Sequence, residues 1–214
     1  MARTRGSRNA DYETRRAELT RKVTLALQQD GGVNASLREL AAFAGTSQTT
    51  LRHYFTDRDG LLRAVMEGLR ADSAPYLAMA AQPVDGDVRS SLSRFLGSVR
   101  TAWFKFGVGK MYASTLAVGL GNPRVAPSFV DHVLEPLRQT GEALGRRHVE
   151  RGELAITDVR HGALALLSPV VLALLHQYSL LGAQCRPLDV PAMLETHVDA
   201  FLRAFAPLRP RASR

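Results

Sequence analysis

Residues 34–62 read NASLRELAAFAGTSQTTLRHYFTDRDGLL, and how this stretch partitions decides the fold. Ser36-Leu37-Arg38-Glu39 has the S-x-x-E form of a capping box, in which the Ser36 hydroxyl accepts the Glu39 N–H and the Glu39 carboxylate reaches back to the cap. The helix begun there stops near Ala44, because Gly45 favours a left-handed turn. A short helix follows from about Gln48 to Tyr54, with Ser47 as its cap, and another begins after Thr56-Asp57 and runs through Leu61, Leu62, Val65, Met66 and Leu69. Two helices meeting steeply across a tight turn need a small residue where they touch. Ala41, four residues before Gly45, supplies it, while Leu40 and Leu51 fill the shared core. The spacing predicts a helix-turn-helix, with an ordinary helical hairpin as the plainer alternative.

Working outward, helical periodicity continues in both directions and strand-type alternation is nearly absent, so the chain reads as all-α with about nine or ten helices. A first helix is expected from about Tyr12 to Gln29, with Leu19, Val23 and Ala26/Leu27 at helical spacing and Gly31-Gly32 as its stop. Val88–Phe106 is amphipathic and ends in the aromatic cluster Trp103, Phe104, Phe106. Met111–Leu120 is a short helix. Asn122-Pro123 opens a long one reaching Arg151, with a kink at Pro136 and Gly152 as its stop. Thr157–Leu181 is the most apolar helix, and Pro191–Phe205 carries one stripe of Met193, Leu194, His197, Val198, Phe201, Leu202 and Phe205. These signals divide the chain into a three-helix unit over 1–60, with a basic arm at 1–10, a helical bundle over 61–207, and a basic tail at 208–214.

The 214 residues carry 45% apolar side chains, enough for a sizeable core, and a net charge of +8 that favours nucleic acid or other anionic partners. Each end, 1–8 and 207–214, holds three Arg and no acid, and these read either as frayed tails or, for Arg3, Arg5 and Arg8, as an arm reaching DNA. Cys185 is the one cysteine, so no internal disulfide forms, which fits a reducing cytoplasm. Residues 1–30 lack the apolar core of a signal peptide, and the apolar stretch Ala163–Leu175 is too short to span a bilayer. His132-x-x-Glu135 and Asp158-x-x-His161 have metal-type spacing but no third ligand, and there is no phosphate-binding Gly-rich loop and no G-x-S-x-G. No metal, no cofactor and no catalytic residue is expected.

Ser36-Leu37-Arg38-Glu39-Leu40-Ala41, Ala44-Gly45-Thr46-Ser47, Leu51-Arg52-His53-Tyr54-Phe55 and Arg58-Asp59-Gly60-Leu61-Leu62 together closely resemble the N-terminal domain of the tetracycline-repressor (TetR) family of bacterial regulators. The resemblance covers about residues 12–66; the remainder is similar to the family in helix count and layout. Three positions depart from the family pattern: Thr49 stands for the usual Gly, Arg52 for the usual Tyr and Arg58 for the usual Lys. The first two alter the reading surface, so the target sequence is not inherited from a relative.

The third helix is short enough to lie in the major groove with its N-terminal residues against base edges. Gln48, Thr49 and Thr50 are base-reading candidates, since Gln bonds adenine bidentately and Thr contacts bases or the thymine methyl. Arg52 takes either a guanine edge or a phosphate, and His53 lies beside it. The resemblance implies that Tyr54 bonds a phosphate while Phe55 packs inside. Arg38, Thr46, Ser47 and Arg58 are further phosphate candidates. The family also implies a homodimer on a palindromic operator, with recognition helices about 34–36 Å apart. Thr157–Leu181 and Pro191–Phe205 are the candidate dimer surface, monomer core being the alternative. An effector pocket would be lined by Met66, Trp103, Phe104, Met111, Tyr112, Phe129, His132, His176 and Tyr178, residue types that also serve as plain core, and would take a largely apolar small molecule. The expectation is a DNA-binding repressor in the cytoplasm. A helical small-molecule-binding protein, or a helical-bundle enzyme, without a DNA role is the alternative.

Overall fold

The computed structural model describes residues 5–82 and 87–207, with side chains from Ala10 onward. Arg3 and the tail at 208–214 lie outside the described residues, as do the side chains of Arg5 and Arg8. Every regular element among the described residues is helical. In chain order these are α1 (Arg5–Leu27), α2 (Leu37–Phe43), α3 (Gln48–Phe55), α4 (Arg58–Ala80), α5 (Val88–Lys105), α6 (Val108–Gly121), α7 (Ala126–Phe129), α8 (Glu135–Glu150), α9 (Val159–Leu174), α10 (Gly182–Cys185) and α11 (Val190–Ala204). Two π-helical turns, Val130–Leu134 and Leu175–Ser179, extend α7 towards α8 and α9 beyond Leu174.

The chain forms two compact units whose boundaries differ from a division at residue 60. Unit 1 takes residues 1–73 together with Met111–Leu134; unit 2 takes Ala74–Lys110 and Glu135 onward. The physical reason is the core of unit 1. Leu19, Val23, Leu27, Leu40, Ala41, Leu51, Phe55, Leu61, Leu62, Val65 and Met66 are buried in one cluster with Val118, Val125 and Phe129. α1 starts at Arg5, so Arg5 and Arg8 belong to the helix rather than preceding it. Ion pairs of Glu18 with Arg15 and Lys22 support its middle turns.

In unit 2, α8 packs against α9, and α11 packs against both α5 and α9. Leu92, Phe95, Leu96, Leu144, Leu166, Val170, Leu174, Leu194, Val198 and Phe201 are buried. His148 is buried at the end of α8, and its Nδ1 faces the Glu153 carboxylate. The expected kink at Pro136 takes the form of the π turn at Val130–Leu134: Pro136 has no N–H for the His132 carbonyl, and the wider turn directly precedes it. The helix that holds residues 163–175 is longer than that stretch, because α9 begins at Val159 and the second π turn continues it to Ser179. Val159–Ser179 spans 21 residues, of which an 18-residue segment has mean hydropathy 1.5, long and apolar enough by length and composition to cross a membrane. In unit 2 it packs against α8, α11 and α5 and leaves one side exposed.

Candidate nucleic-acid interface

The capping box forms as the residues dictate. Glu39 N–H donates to Ser36 Oγ at 3.3 Å, and the Ser36 N–H and hydroxyl both donate to Glu39 Oε2 at 2.7 Å. The hydroxyl, and then the N–H, hold the Glu39 carboxyl below the usual carboxylate range. α2 ends at Phe43 and is capped by Ala44; Gly45 follows with φ 66°, the left-handed conformation that lets the chain reverse. The Gly45 N–H reaches the Ala42 carbonyl at 3.1 Å and the Thr46 N–H reaches that of Ala41 at 2.9 Å. Ser47 then caps α3, accepting the Thr50 N–H at 3.0 Å, and its hydroxyl lies 2.9 Å from that of Thr50.

Leu51 and Phe55 anchor α3 in the core. On the opposite side Thr49, Arg52 and His53 are exposed, flanked by half-buried Gln48, Thr50 and Tyr54. Ser47 and Arg38 are exposed and Thr46 is half-buried. Nine of the ten residues singled out for DNA contact therefore keep some open surface on α2, α3 or the turn between them. The Thr50 hydroxyl, however, is already engaged by the cap.

The tenth, Arg58, has a different role. Its Nε donates to the Ala35 carbonyl at 2.9 Å and its Nη2 to that of Val33 at 2.6 Å. This half-buried guanidinium ties the start of α4 to the segment that enters α2. A phosphate role would compete with those two bonds.

Two residues on α1 complete the site. The Tyr12 ring lies 4.7 Å from that of Tyr54 and 5.9 Å from His53. The Arg16 guanidinium lies 5.4 Å from the centre of the Phe55 ring and 3.7 Å from Glu67. Tyr12, Arg16, Leu19 and Val23 follow an i, i+4, i+7, i+11 spacing, which places them on one helix face. That spacing was the available signal for both.

The nine effector-pocket candidates fall into two groups. Met66, Met111, Tyr112, Phe129 and His132 lie in unit 1; Trp103, Phe104, His176 and Tyr178 lie in unit 2. In unit 1, Met66 and Phe129 are core, and Tyr112 meets Phe129 edge-on at 5.7 Å. Burial pushes the Tyr112 phenol up. His132 sits on the π turn with its Nδ1 buried and without a hydrogen-bond partner. In unit 2, Trp103 is buried, exposed Phe104 meets Tyr178 edge-on at 4.4 Å, and the His176 Nδ1 is 2.6 Å from the Gln177 amide. A shallow groove of about 280 Å³ in unit 2, lined by Ser93, Gly97, Arg100, Leu194, Glu195 and Val198, touches none of the nine. Among the described residues no three His, Cys, Asp or Glu side chains are grouped to hold a metal. Asp158 caps α9, and Glu135 pairs with Arg138.

The model of the tetR family of bacterial regulatory proteins matches residues 22–65, the segment that holds α2, α3 and the start of α4. The chain is 30% identical over 156 residues to the HTH-type transcriptional regulator BetI 2 of Chromohalobacter salexigens, covering 67% of this chain and 74% of that one. It is 27% identical over 113 residues to the HTH-type transcriptional regulator BetI of Stenotrophomonas maltophilia, and there it spans only 58% of the relative's length. Among solved structures, a TetR transcriptional regulator from Agrobacterium tumefaciens matches 90% of the chain at TM-score 0.68 and 20% identity, with 94% of that chain covered. SmeT, the repressor of the Stenotrophomonas maltophilia multidrug efflux pump SmeDEF, matches 92% at TM-score 0.61 and 16% identity, with 94% of its own chain covered. At such identities the structures speak for the fold, while the motif and the BetI 2 match speak for descent: the chain belongs to the tetR family of bacterial regulatory proteins.

Proposed function

We propose that this protein is a DNA-binding transcriptional regulator that represses by occupying a palindromic operator as a homodimer. The observation that carries the reading is the outward face of α3, where Thr49, Arg52 and His53 are exposed opposite Leu51 and Phe55. That places hydrogen-bonding groups on a short helix whose backbone is capped by Ser47. Base readout falls to Gln48, Thr49 and Arg52, and phosphate contact to Arg38, Thr46, Ser47, His53 and Tyr54. Thr50 serves the cap first.

One such unit presents too small a surface for tight, specific binding, so a dimer is part of the proposal. α9 supports it: Leu164 and Leu172 are 43% and 66% exposed, two turns apart on a face of α9 that also leaves Ala165, Ser168 and Pro169 exposed. A symmetric pairing of α9 and α11 with a second copy covers them. A small, largely apolar effector would release the operator by preferring the non-binding state of the protein. The unpartnered His132 Nδ1 supports one polar contact in such a molecule. A regulator of this kind works in the bacterial cytoplasm and has no catalytic step.

The test is selection of bound duplexes from a random pool by the full chain, followed by footprinting of the enriched sequence. A palindrome with half-sites centred about one helical turn apart is expected. No enrichment at low salt would overturn the reading in favour of a helical small-molecule-binding protein.

A further inference from the structure

The start of α4 is held by polar contacts from a segment more than sixty residues further along the chain. Asp59, in the first turn of α4, has a side chain only 18% exposed. Its Oδ1 accepts a 2.7 Å hydrogen bond from the Asn122 side-chain amide, and its Oδ2 lies 3.8 Å from the Arg124 guanidinium. Asn122 is itself held in place. Its Oδ1 accepts the Arg124 N–H at 3.0 Å, and its backbone carbonyl accepts the N–H groups of Val125 and Ala126, each at 3.0 Å. Both ends of the amide are therefore used, and turning it over would break two bonds.

Asp59 is coupled to the end of α3 through its neighbour Gly60. The neighbouring Gly60 N–H donates to Asp57 Oδ1 at 2.7 Å, and the Leu61 N–H to the Asp57 carbonyl at 3.1 Å. Gly60 lies so close to the carbonyl oxygen of Phe55 that a Cβ there would penetrate it. Phe55 is the last residue of α3, so the first turn of α4 cannot slide without moving that helix. At its other end the contact is anchored in the same core, since Val118, Val125 and Phe129 pack with Leu51, Phe55, Leu61 and Leu62. The Arg70 guanidinium adds a 3.0 Å bond to the Asp131 carbonyl.

We infer that Asn122 is a positioning residue for DNA recognition: through Asp59 it sets the orientation of α3, although it lies outside the helix-turn-helix. The inference rests on the DNA-binding reading above. Its signature is selective. A tilted α3 loses base contacts, which demand close geometry, before it loses phosphate contacts, which the repeating backbone offers at many angles.

The experiment compares full-length variants on two duplexes, one selected by the wild type from a random pool and one of arbitrary sequence. Asn122→Asp sets a carboxylate against Asp59. It is expected to weaken the selected duplex about ten-fold while changing the arbitrary one by less than about two-fold, with helicity retained. The D59N/N122D double variant reverses the polarity of the pair and is expected to recover most of the loss. Should N122D unfold, the isosteric Asp59→Asn carries the same selective loss at smaller size. The inference is overturned if a folded single variant binds both duplexes like the wild type, loses both equally, or is not rescued by the exchange. If the wild type itself enriches no duplex, the DNA-binding reading falls and takes the inference with it.

Discussion

α3 and α9 are both amphipathic in effect, yet they turn opposite chemistry towards solvent. α3 has eight residues, is capped by Ser47, and exposes Thr49, Arg52 and His53. α9 has sixteen, continues through a π turn, and beyond the polar Arg160 and His161 of its first turn exposes the largely apolar Leu164, Ala165, Ser168, Pro169 and Leu172. A polar outward face is stable in water and leaves donors and acceptors free for a polar partner. An apolar one is unfavourable until something covers it. On the proposed reading, the contrast separates two binding tasks within one chain: geometry fixed by backbone capping for a nucleic acid, and area offered for a second copy of the protein.

The largest expected effect falls on the α3 side. Gly60→Ala forces a Cβ into the Phe55 carbonyl and should cost roughly 3 kcal/mol or more, read as a large drop in the thermal unfolding midpoint. A midpoint near that of the wild type would show that α3 and α4 are not locked together there. On the α9 side, Leu172→Glu should raise the dimer dissociation constant on the order of 100-fold while leaving the monomer folded, since the residue is 66% exposed. Sedimentation at micromolar concentration checks this, and an unchanged oligomeric state would remove α9 from the interface.

Arg58→Ala comes next and sharpens the boundary between scaffold and reading face. Loss of the bonds to Val33 and Ala35 should destabilise the protein by about 2 kcal/mol in chemical denaturation. The salt dependence of DNA binding should stay as it was; a slope lower by about one would instead mark Arg58 as a phosphate contact. The smallest effect concerns acid. Glu39 is held below its ordinary range in the folded chain, so its charged form supports the cap at neutral pH. That support is fully present above the unfolded glutamate value of about 4.3 and is lost as pH falls through the lower folded value. Thermal midpoints of wild type and Glu39→Gln should therefore converge between neutral and strongly acidic pH; a constant difference would assign the effect to packing.

What could be read from the sequence was local. The Ser36 box, the Gly45 turn and the Ser47 cap each involve residues within a few positions of one another, and all three form as the spacing implies. What escaped was long-range. Arg58 looks like any basic residue at a helix start until the carbonyls of Val33 and Ala35 are in place. The Asp59–Asn122 bond joins residues 63 positions apart, and no pattern in either segment announces it. The π turns shift backbone hydrogen bonding by one residue without altering side-chain periodicity enough to notice; Pro136 was the only hint of the first. The effector-pocket residues were chosen by type, and aromatic and Met side chains at helical spacing fill cores equally well, as Met66 and Phe129 do.

The shared core of α1–α4 and residues 111–134 has a consequence for inheritance and for engineering. Phe129 and Met66 share one core with Leu51 and Phe55, although a cut at residue 60 would assign both to a part separate from α3. A hybrid regulator made by grafting the first 73 residues onto a foreign body would leave Val118, Val125 and Phe129 behind, and with them part of the packing around Leu61 and Leu62. The transplantable module is discontinuous, so shuffling by simple crossover is expected to succeed only when residues 111–134 travel with it.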